Sequence, residues 1–258
     1  MRENDGEDIM ANRMIFDIPL NTESRRRSED RIRGILGDDT FRRIATVNPE
    51  FLVRARRDAR FQKNLLAADL RIPDGFGIVL DGLLSGRRIG RYPGADLFHF
   101  VLAEAKREAR PVFLLIRKDG LSSFEEIRNV LRKRYPGLSV EGAELHVGVD
   151  PIPEETKKAT VVFCNFGAPE QEYALESLRT NPGNIRIAMG VGGAFDYVTG
   201  KCRRAPRWVR ALGFEWLFRL AIQPGRIGRI WNATAVFLFL RLSDRMKGSR
   251  KVHKVKSS

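Results

Sequence analysis

The stretch "ATVVFCNFGAPEQEYALESLRT", residues 159–180, decides the fold. It begins with a continuous run of apolar residues, which is typical of a strand buried on both faces of a parallel sheet. The run ends at Gly167, and a helical pattern opens at Pro169, a residue that is favoured in the first turn of a helix. The stretch therefore predicts one strand–turn–helix unit of an α/β protein.

The same alternation of strands and helices continues along most of the chain. Apolar and β-branched runs predict further strands at 14–20, 42–48, 111–116, 138–145 and 185–195. Apolar residues at helical spacing predict further helices at 22–36, 49–68, 76–86, 94–109 and 122–137. In the last of these, Ser122 or Ser123 with Glu126 forms a predicted capping box. The sequence thus predicts an α/β fold with a largely parallel sheet.

Four turns rich in glycine or proline fall where such a sheet binds its ligands, at the carboxyl ends of its strands. They are centred on Asn48-Pro49, Asp74-Gly75, Gly167-Ala168-Pro169 and the run 190–193, which includes Gly192 and Gly193. Free N–H groups at the helix that follows Gly167 can hold an anion, and Gln171 can bond a sugar hydroxyl or a base edge. Structural turns explain glycine clusters of this kind about equally well.

Asp74 lies between Pro73 and Gly75 in "IPDGFGIVL", residues 72–80. A carboxylate in such a turn either bonds to its own backbone or is the working group of a site. Thr46 and Asn48 have a similar alternative, because they precede Pro49 and can cap the helix that begins there. We favour a structural pair for Arg91 with Asp96, and for Asp196 a role in anchoring the glycine turn.

The charge of the chain is concentrated at its C-terminal end. The 258 residues carry a net charge of +14, and residues 200–258 hold fifteen Lys and Arg against two acidic residues. A basic block of this kind favours phospholipid, nucleic acid or a diphosphate, and the alternative is a solvated tail. The turns described above lie in the nearly neutral part of the chain, which argues against a nucleic-acid-binding protein.

Several other classes are excluded by composition. The two cysteines, Cys164 and Cys202, form neither a disulfide framework nor a zinc site, which indicates a reducing compartment. His99, His146 and His253 are scattered, so we expect no metal site and no cofactor. The start of the chain lacks the pattern of a secretory signal, and no apolar run reaches the roughly 18–20 residues of a spanning helix.

The segment 200–231 combines arginine clusters with three tryptophans, Trp208, Trp216 and Trp231. Arginine suits phosphate oxygens, and tryptophan suits a water–lipid interface. The short apolar run that follows, 231–242, either lies on a membrane or covers the core of the domain.

These segments together resemble the WecG/TagA/CpsF glycosyltransferases, glycosyltransferase family 26. The matching stretches are "TVNPEFL", "PDGFGIV", "RYPGADLF", "FGAPEQE", "GVGGAFDYVTGKCRRAPRW" and "GFEWLFRLAIQPGRIGR", which occur in family order within residues 14–231. One departure is Arg117 and Lys118, which follow "VFLLI" where the family usually has a glycine.

The resemblance implies a Rossmann-like α/β core with a basic, helical C-terminal appendage that engages the membrane. It implies a catalytic core at 13–199 followed by the appendage at 200–245, and the polar composition of the two ends predicts a disordered leader at 1–12 and a basic disordered tail at 246–258. It also implies a location in the cytoplasm, at the inner face of a bacterial membrane with an anionic surface. Assembly into a homo-oligomer stays open.

The activity implied by the resemblance is an inverting, metal-independent transfer in the synthesis of bacterial surface polysaccharides. A sugar passes from a UDP-sugar donor to a sugar linked to a polyprenyl diphosphate; glucose, galactose, a uronic acid and N-acetylmannosamine all stay open as the donor sugar. Asp74 matches the family's proposed base, and Arg219, Arg226 and Arg229 match the arginines expected at the leaving diphosphate. The implied substrate-binding residues are Thr46, Asn48, Gly75, Arg91, Gly167, Gln171, Gly192 and Gly193. The rival interpretation is a basic protein that binds nucleic acid or anionic membrane without catalysis.

Overall fold

The computed structural model describes residues 12–87, 89–206, 209, 218 and 235–255. Its strands are β1 Asn12–Ile15, β2 Ile18–Asn21, β3 Arg42–Val47, β4 Leu70–Pro73, β5 Val112–Arg117, β6 Val140–Leu145, β7 Val161–Cys164 and β8 Ile187–Gly190. Its helices are α1 Arg25–Gly37, α2 Pro49–Arg57, α3 Ala59–Leu66, α4 Phe76–Leu83, α5 Gly94–Arg107, α6 Phe124–Arg134, α7 Glu170–Ser177, α8 Ala194–Val198 and α9 Phe237–Val255. Two short 3-10 helices span Glu154–Lys158 and Leu178–Thr180.

Six strands form one sheet in the order β4-β3-β8-β7-β5-β6, and every neighbouring pair is parallel. The predicted α/β class with a parallel sheet flanked by helices is therefore confirmed. Counted along the chain, the strand order is 2-1-6-5-3-4, which differs from the Rossmann order 3-2-1-4-5-6. The protein therefore shares with the Rossmann fold a parallel sheet flanked by helices, but not the order of the strands.

The sheet is buried on both faces because its strands are apolar at consecutive positions. In β5, Leu114 and Ile116 pack into the core that includes α1, α5 and α6, whereas Phe113 and Leu115 face the opposite core, which includes α7. This two-sided burial is why the strands read as continuous apolar runs rather than as alternating patterns. It also leaves the carboxyl edge of the sheet to the connecting loops.

Two predicted elements are divided in the structure. The segment 14–20 was predicted as one strand but forms the antiparallel hairpin β1–β2, because Phe16 and Asp17 adopt positive φ angles of 49° and 62°. The helix predicted at 49–68 is interrupted at Asp58, which is extended and whose side chain caps α3 by accepting from Phe61 N. The capping box of Ser123 and Glu126 is confirmed at the start of α6.

The C-terminal helix α9 docks on the core beside α2 and α4. Phe237 is fully buried and meets Phe16 edge-on at a centroid distance of 5.8 Å. Asp81, which is only 1% exposed, accepts bonds from the guanidinium groups of Arg13, Arg241 and Arg245. Residues 246–255, assigned by the sequence to a disordered tail, continue this helix, in keeping with the good helix propensity of Lys, Arg and Met.

Most of the predicted appendage lies outside the described residues, and so does the predicted leader up to residue 11. Among the helices that the structure describes, none is both long and apolar enough to cross a membrane.

A buried ion pair ties the sheet to the helix that follows β7. Arg43 of β3 is fully buried; its Nη1 lies 2.5 Å from Oε2 of Glu172, which is also fully buried. Arg43 also bonds Glu176 at 2.7 Å and donates to the carbonyl of Asn64. Burial raises the pKa of Glu172, and the charge of Arg43 opposes that rise. The pair thus links β3, α3 and α7 through one desolvated guanidinium.

The network extends from this pair to the carboxyl edge of the sheet. Gln171 Nε2 donates to Glu172 at 3.1 Å, and Gln171 Oε1 accepts from Gly167 N at 3.2 Å. Gly190 allows this approach, since a Cβ there would lie 2.4 Å from Gln171 Nε2. The loop after β7 therefore takes its position from Arg43 through two intervening side chains.

We predict that Arg43→Met lowers the free energy of unfolding by about 3–5 kcal/mol, because it leaves the Glu172 charge buried without its partner. Denaturant titration of the purified protein measures this loss. The matched control is Arg42→Met, a partly exposed neighbour on β3 that we expect to stay within about 0.5 kcal/mol of the unsubstituted chain.

The double variant Arg43→Met with Glu172→Leu should recover much of the lost stability, since it removes both charges. A single variant as stable as the control would show that the pair does not hold these elements together.

Candidate active site

A cleft of about 640 Å³ opens at the carboxyl edge of the sheet. The loops that follow β3, β4, β5, β7 and β8 all contribute to its wall. The structure brings seven of the predicted site residues to it: Thr46, Asn48, Asp74, Gly167, Gln171, Gly192 and Gly193. Gly75 and Arg91 lie beside these residues rather than among those that line the cleft. Arg219, Arg226 and Arg229 lie outside the described residues.

Asp74 directly follows β4 and meets the start of α5. The backbone N–H of Gly94, the first residue of that helix, donates to Asp74 Oδ2 at 3.1 Å. The other oxygen of the Asp74 carboxylate, Oδ1, lies 4.0 Å from Arg91 Nε. Its backbone N–H donates to Val47 O at 2.7 Å, and its side chain is 28% exposed. A helix N-terminus attracts negative charge, so this position suits a carboxylate that is held by the helix yet open to the cleft.

Glycine is required on both sides of this carboxylate. Gly75 adopts a φ of +95°, and a Cβ there would lie 2.9 Å from Cδ of Pro49. A Cβ on Gly94 would lie 3.1 Å from Thr46 Oγ1 and 3.3 Å from Asp74 Oδ2. Thr46, Asp74 and the first turn of α5 therefore lie close together, and the turn formed by Pro73, Asp74 and Gly75 permits this close packing.

Two side chains that were predicted to bind the ligand form hydrogen bonds within the protein instead. Asn48 caps α2, because its Oδ1 accepts from Phe51 N at 3.0 Å, so the capping alternative describes its side chain. Gln171 is 4% exposed, and its amide bonds Gly167 and Glu172. Both residues line the cleft while they fix the loops that form it.

Three arginines that the site prediction omitted also line the cleft: Arg54, Arg117 and Arg203. Arg117 ends β5 and donates from Nε and Nη2 to the carbonyl of Phe166, at 3.1 and 2.5 Å. Its backbone N–H donates to Asn165 Oδ1 at 2.7 Å. Its place at the end of a predicted strand was the signal that could have identified Arg117.

Asp196 and Asp96 are both paired within the fold. Ser122 Oγ donates to Asp196 Oδ1 at 2.9 Å and contacts Thr199, which ties the glycine turn after β8 to the loop before α6. This is the anchoring role expected for Asp196. Asp96 accepts from Arg204 Nη1 at 2.7 Å, a partner 108 residues away in the chain.

The surroundings of the two cysteines do not indicate a catalytic role. Cys164 is fully buried, and burial raises the pKa of its thiol, as expected for an inert core residue. Cys202 lies at the cleft wall. Within the described part of the chain, no group of three or more His, Cys, Asp or Glu side chains is placed to hold a metal ion.

Comparison with known proteins identifies relatives of this chain. The sequence model described as "Glycosyl transferase WecG/TagA/CpsF family" matches residues 13–251. An N-acetylglucosaminyldiphosphoundecaprenol N-acetyl-beta-D-mannosaminyltransferase of Bacillus subtilis strain 168 is 29% identical over 193 residues, 72% of this chain and 74% of the relative. A protein of the same name from Bacillus spizizenii is 31% identical over 194 residues, with the same coverage of both chains.

Proposed function

Because the chain belongs to the WecG/TagA/CpsF family of glycosyl transferases, we propose that it moves a sugar from a UDP-sugar to a sugar carried on a polyprenyl diphosphate. The transfer inverts the anomeric carbon and uses no metal ion. The observation that carries this proposal is the Asp74 carboxylate, held by the first N–H of α5 at the wall of the cleft.

The substrate class is supported by what the relatives are named to do. Both relatives are named as transferring a β-linked N-acetylmannosamine to N-acetylglucosaminyldiphosphoundecaprenol. Sugar nucleotides of this kind carry an α-linked sugar, so a β-linked product corresponds to inversion. We extend the lipid-diphosphate acceptor and the inversion to this chain, in the synthesis of a bacterial surface polysaccharide.

Asp74 acts as the general base in this mechanism. The acceptor hydroxyl attacks the anomeric carbon and its proton passes to the carboxylate, while the bond from that carbon to the UDP oxygen breaks and UDP leaves with the electron pair. The Gly94 N–H holds the carboxylate in one orientation, and Thr46 Oγ1 lies near the same helix start. One positioned carboxylate is sufficient for a single displacement.

The charge that develops on the leaving diphosphate must be balanced by cations or oriented N–H groups. Arg54, Arg117 and Arg203 line the cleft and supply guanidinium donors suited to phosphate oxygens. The turns at Gly167 and at Gly192–Gly193 bring backbone close to the same space. Arg219, Arg226 and Arg229 join this set by their match to the family pattern.

The outer face of α9 supports the proposed contact with an anionic membrane. Phe239, Leu242 and Met246 recur at helical spacing and are 69%, 49% and 62% exposed. Phe237, Arg241 and Arg245 point to the other side and dock the helix on the core. The apolar face lies on a strongly basic segment, a combination that suits a helix lying in the surface of an anionic bilayer.

We predict that Asp74→Asn lowers kcat about 10²–10⁴-fold, because an amide cannot accept the proton of the acceptor hydroxyl. The dissociation constant for UDP should be unchanged, because the amide oxygen can still accept from Gly94. Transfer to a soluble prenyl-diphosphate-linked acceptor, with UDP binding by calorimetry, measures both quantities.

The matched control is Glu170→Gln, another carboxylate of the cleft wall, whose side chain is exposed and to which no role is assigned. We expect its activity to stay close to that of the unsubstituted enzyme. Full turnover by Asp74→Asn would remove Asp74 from the mechanism.

We predict that replacing Phe239, Leu242 and Met246 together with Ser weakens binding to vesicles of phosphatidylglycerol and phosphatidylcholine by tenfold or more, on the order of 1.4 kcal/mol or above. Sedimentation with the vesicles measures the bound fraction. Val149→Ser removes a 79% exposed apolar side chain elsewhere and serves as the control. Equal binding of the triple variant and the control would contradict the membrane contact.

A further inference from the structure

A second cavity, of about 630 Å³, adjoins the cleft. Ala95, Ala194 and Tyr197 belong to the walls of both spaces. The far wall of the second cavity carries Arg25, Asp96, His99, Phe100, Arg134 and Arg204, from α1, α5, α6 and the segment after α8. None of these six residues was among the predicted site residues, and the family resemblance assigned them no role.

Arg204 has hydrogen-bonding capacity that its neighbours do not use. Its Nη1 donates to Asp96 Oδ1 at 2.7 Å, while its Nε and Nη2 are buried and have no hydrogen-bond partner among the residues that the structure describes. A buried N–H group without an acceptor is unfavourable, and the loss is greater for a charged group. Because solvent does not reach these two nitrogens, an anionic ligand in the cavity would bond to them only after the side chain of Arg204 turned toward it.

The charges around the cavity leave a positive excess. Arg25 pairs with Glu29 of its own helix at 2.8 Å, and Arg204 pairs with Asp96. Arg134 Nη1 lies 3.3 Å from His99 Nε2, and among the described residues it has no carboxylate partner. Burial, together with the charges of Arg134 and Arg204, lowers the pKa of His99 to about 4, against the opposing effect of Asp96. The imidazole is therefore neutral at pH 7.

The cavity lies within reach of the proposed base. Asp74 accepts from Gly94 N, and Arg204 donates to Asp96. Gly94 and Asp96 both belong to the first turn of α5. Asp74 and Arg204 therefore bond to residues two positions apart in the same helical turn, with Asp74 on the side of the cleft and Arg204 on the side of the second cavity.

We infer that the second cavity binds the diphosphate of the lipid-linked acceptor through Arg204 and Arg134, while the donor occupies the cleft. This inference rests on the proposed function. It places the two diphosphates on opposite sides of the wall formed by Ala95, Ala194 and Tyr197, with the acceptor sugar passing across it to Asp74.

The test uses inorganic pyrophosphate as the probe and the full-length protein saturated with UDP. Calorimetry should show pyrophosphate binding that persists with UDP present, and NMR should show the pKa of His99 rising from about 4 as the added phosphate charge offsets Arg134 and Arg204. The resonance of His99 is assigned with His99→Gln. Arg204→Gln and Arg134→Gln should each weaken pyrophosphate binding about tenfold or more.

Arg132→Gln is the matched control, since Arg132 is exposed on the same helix as Arg134 but does not line the cavity. In transfer assays, Arg204→Gln and Arg134→Gln should raise the KM for the acceptor and leave the KM for the UDP-sugar unchanged. A merely structural role for the two arginines would alter both constants.

Three results would overturn the inference: displacement of pyrophosphate by UDP, which assigns the cavity to the donor; a His99 pKa that does not respond; or equal affinities in Arg204→Gln and Arg132→Gln. The pyrophosphate measurements need no turnover. Absence of transfer by the unsubstituted protein would therefore count against the proposed function independently of these results.

Discussion

The ion pair between Arg43 and Glu172 is the interaction on which the arrangement of the site depends. Both side chains are fully buried, so each charge is tolerable only because the other is present. The pair joins β3, which carries Thr46 and leads into Asn48, to α7, which carries Gln171. Through Gln171 it also fixes Gly167, and the absence of a side chain at position 190 lets Gln171 and Glu172 pack against the end of β8. A single desolvated contact thus ties the end of β3 to the loop after β7, two of the segments that form the cleft.

The chemistry of the site follows from the parallel sheet. Since all six strands point the same way, their carboxyl ends meet at one edge, and the residues that follow them are brought together from distant parts of the chain. Asp74 gains a further contribution from the N-terminus of α5, which orients the carboxylate and stabilises its charge. The opposite side of that first helical turn faces the second cavity. One short stretch of α5 therefore separates the proposed base from the arginines that we assign to the acceptor diphosphate.

Much of this could be predicted from the sequence, because strands buried on both faces and capped helices leave local patterns. The class of fold, the capping box of α6 and the meeting of the glycine turns with Asp74 all follow from such patterns. The hairpin at Phe16–Asp17 could not be predicted from the sequence, because neither residue is the glycine that usually marks a turn with positive φ angles. Two contacts could not be predicted either: the hydrogen bond between Gln171 and Gly167, and the ion pair between Asp96 and Arg204. The ion pair joins positions that are 108 residues apart. Long-range pairs of charged side chains carry no periodic signal.

The configuration of the new glycosidic bond tests the central claim most directly. The enzyme would be supplied with an α-linked UDP-sugar and a prenyl-diphosphate-linked acceptor in the presence of a chelator, and the one-bond carbon–proton coupling at the anomeric carbon would be measured by NMR. Direct displacement, with Asp74 as the only carboxylate required and no metal ion, predicts a β-linked product. An α-linked product, or a reaction that stops when divalent ions are removed, would contradict the account.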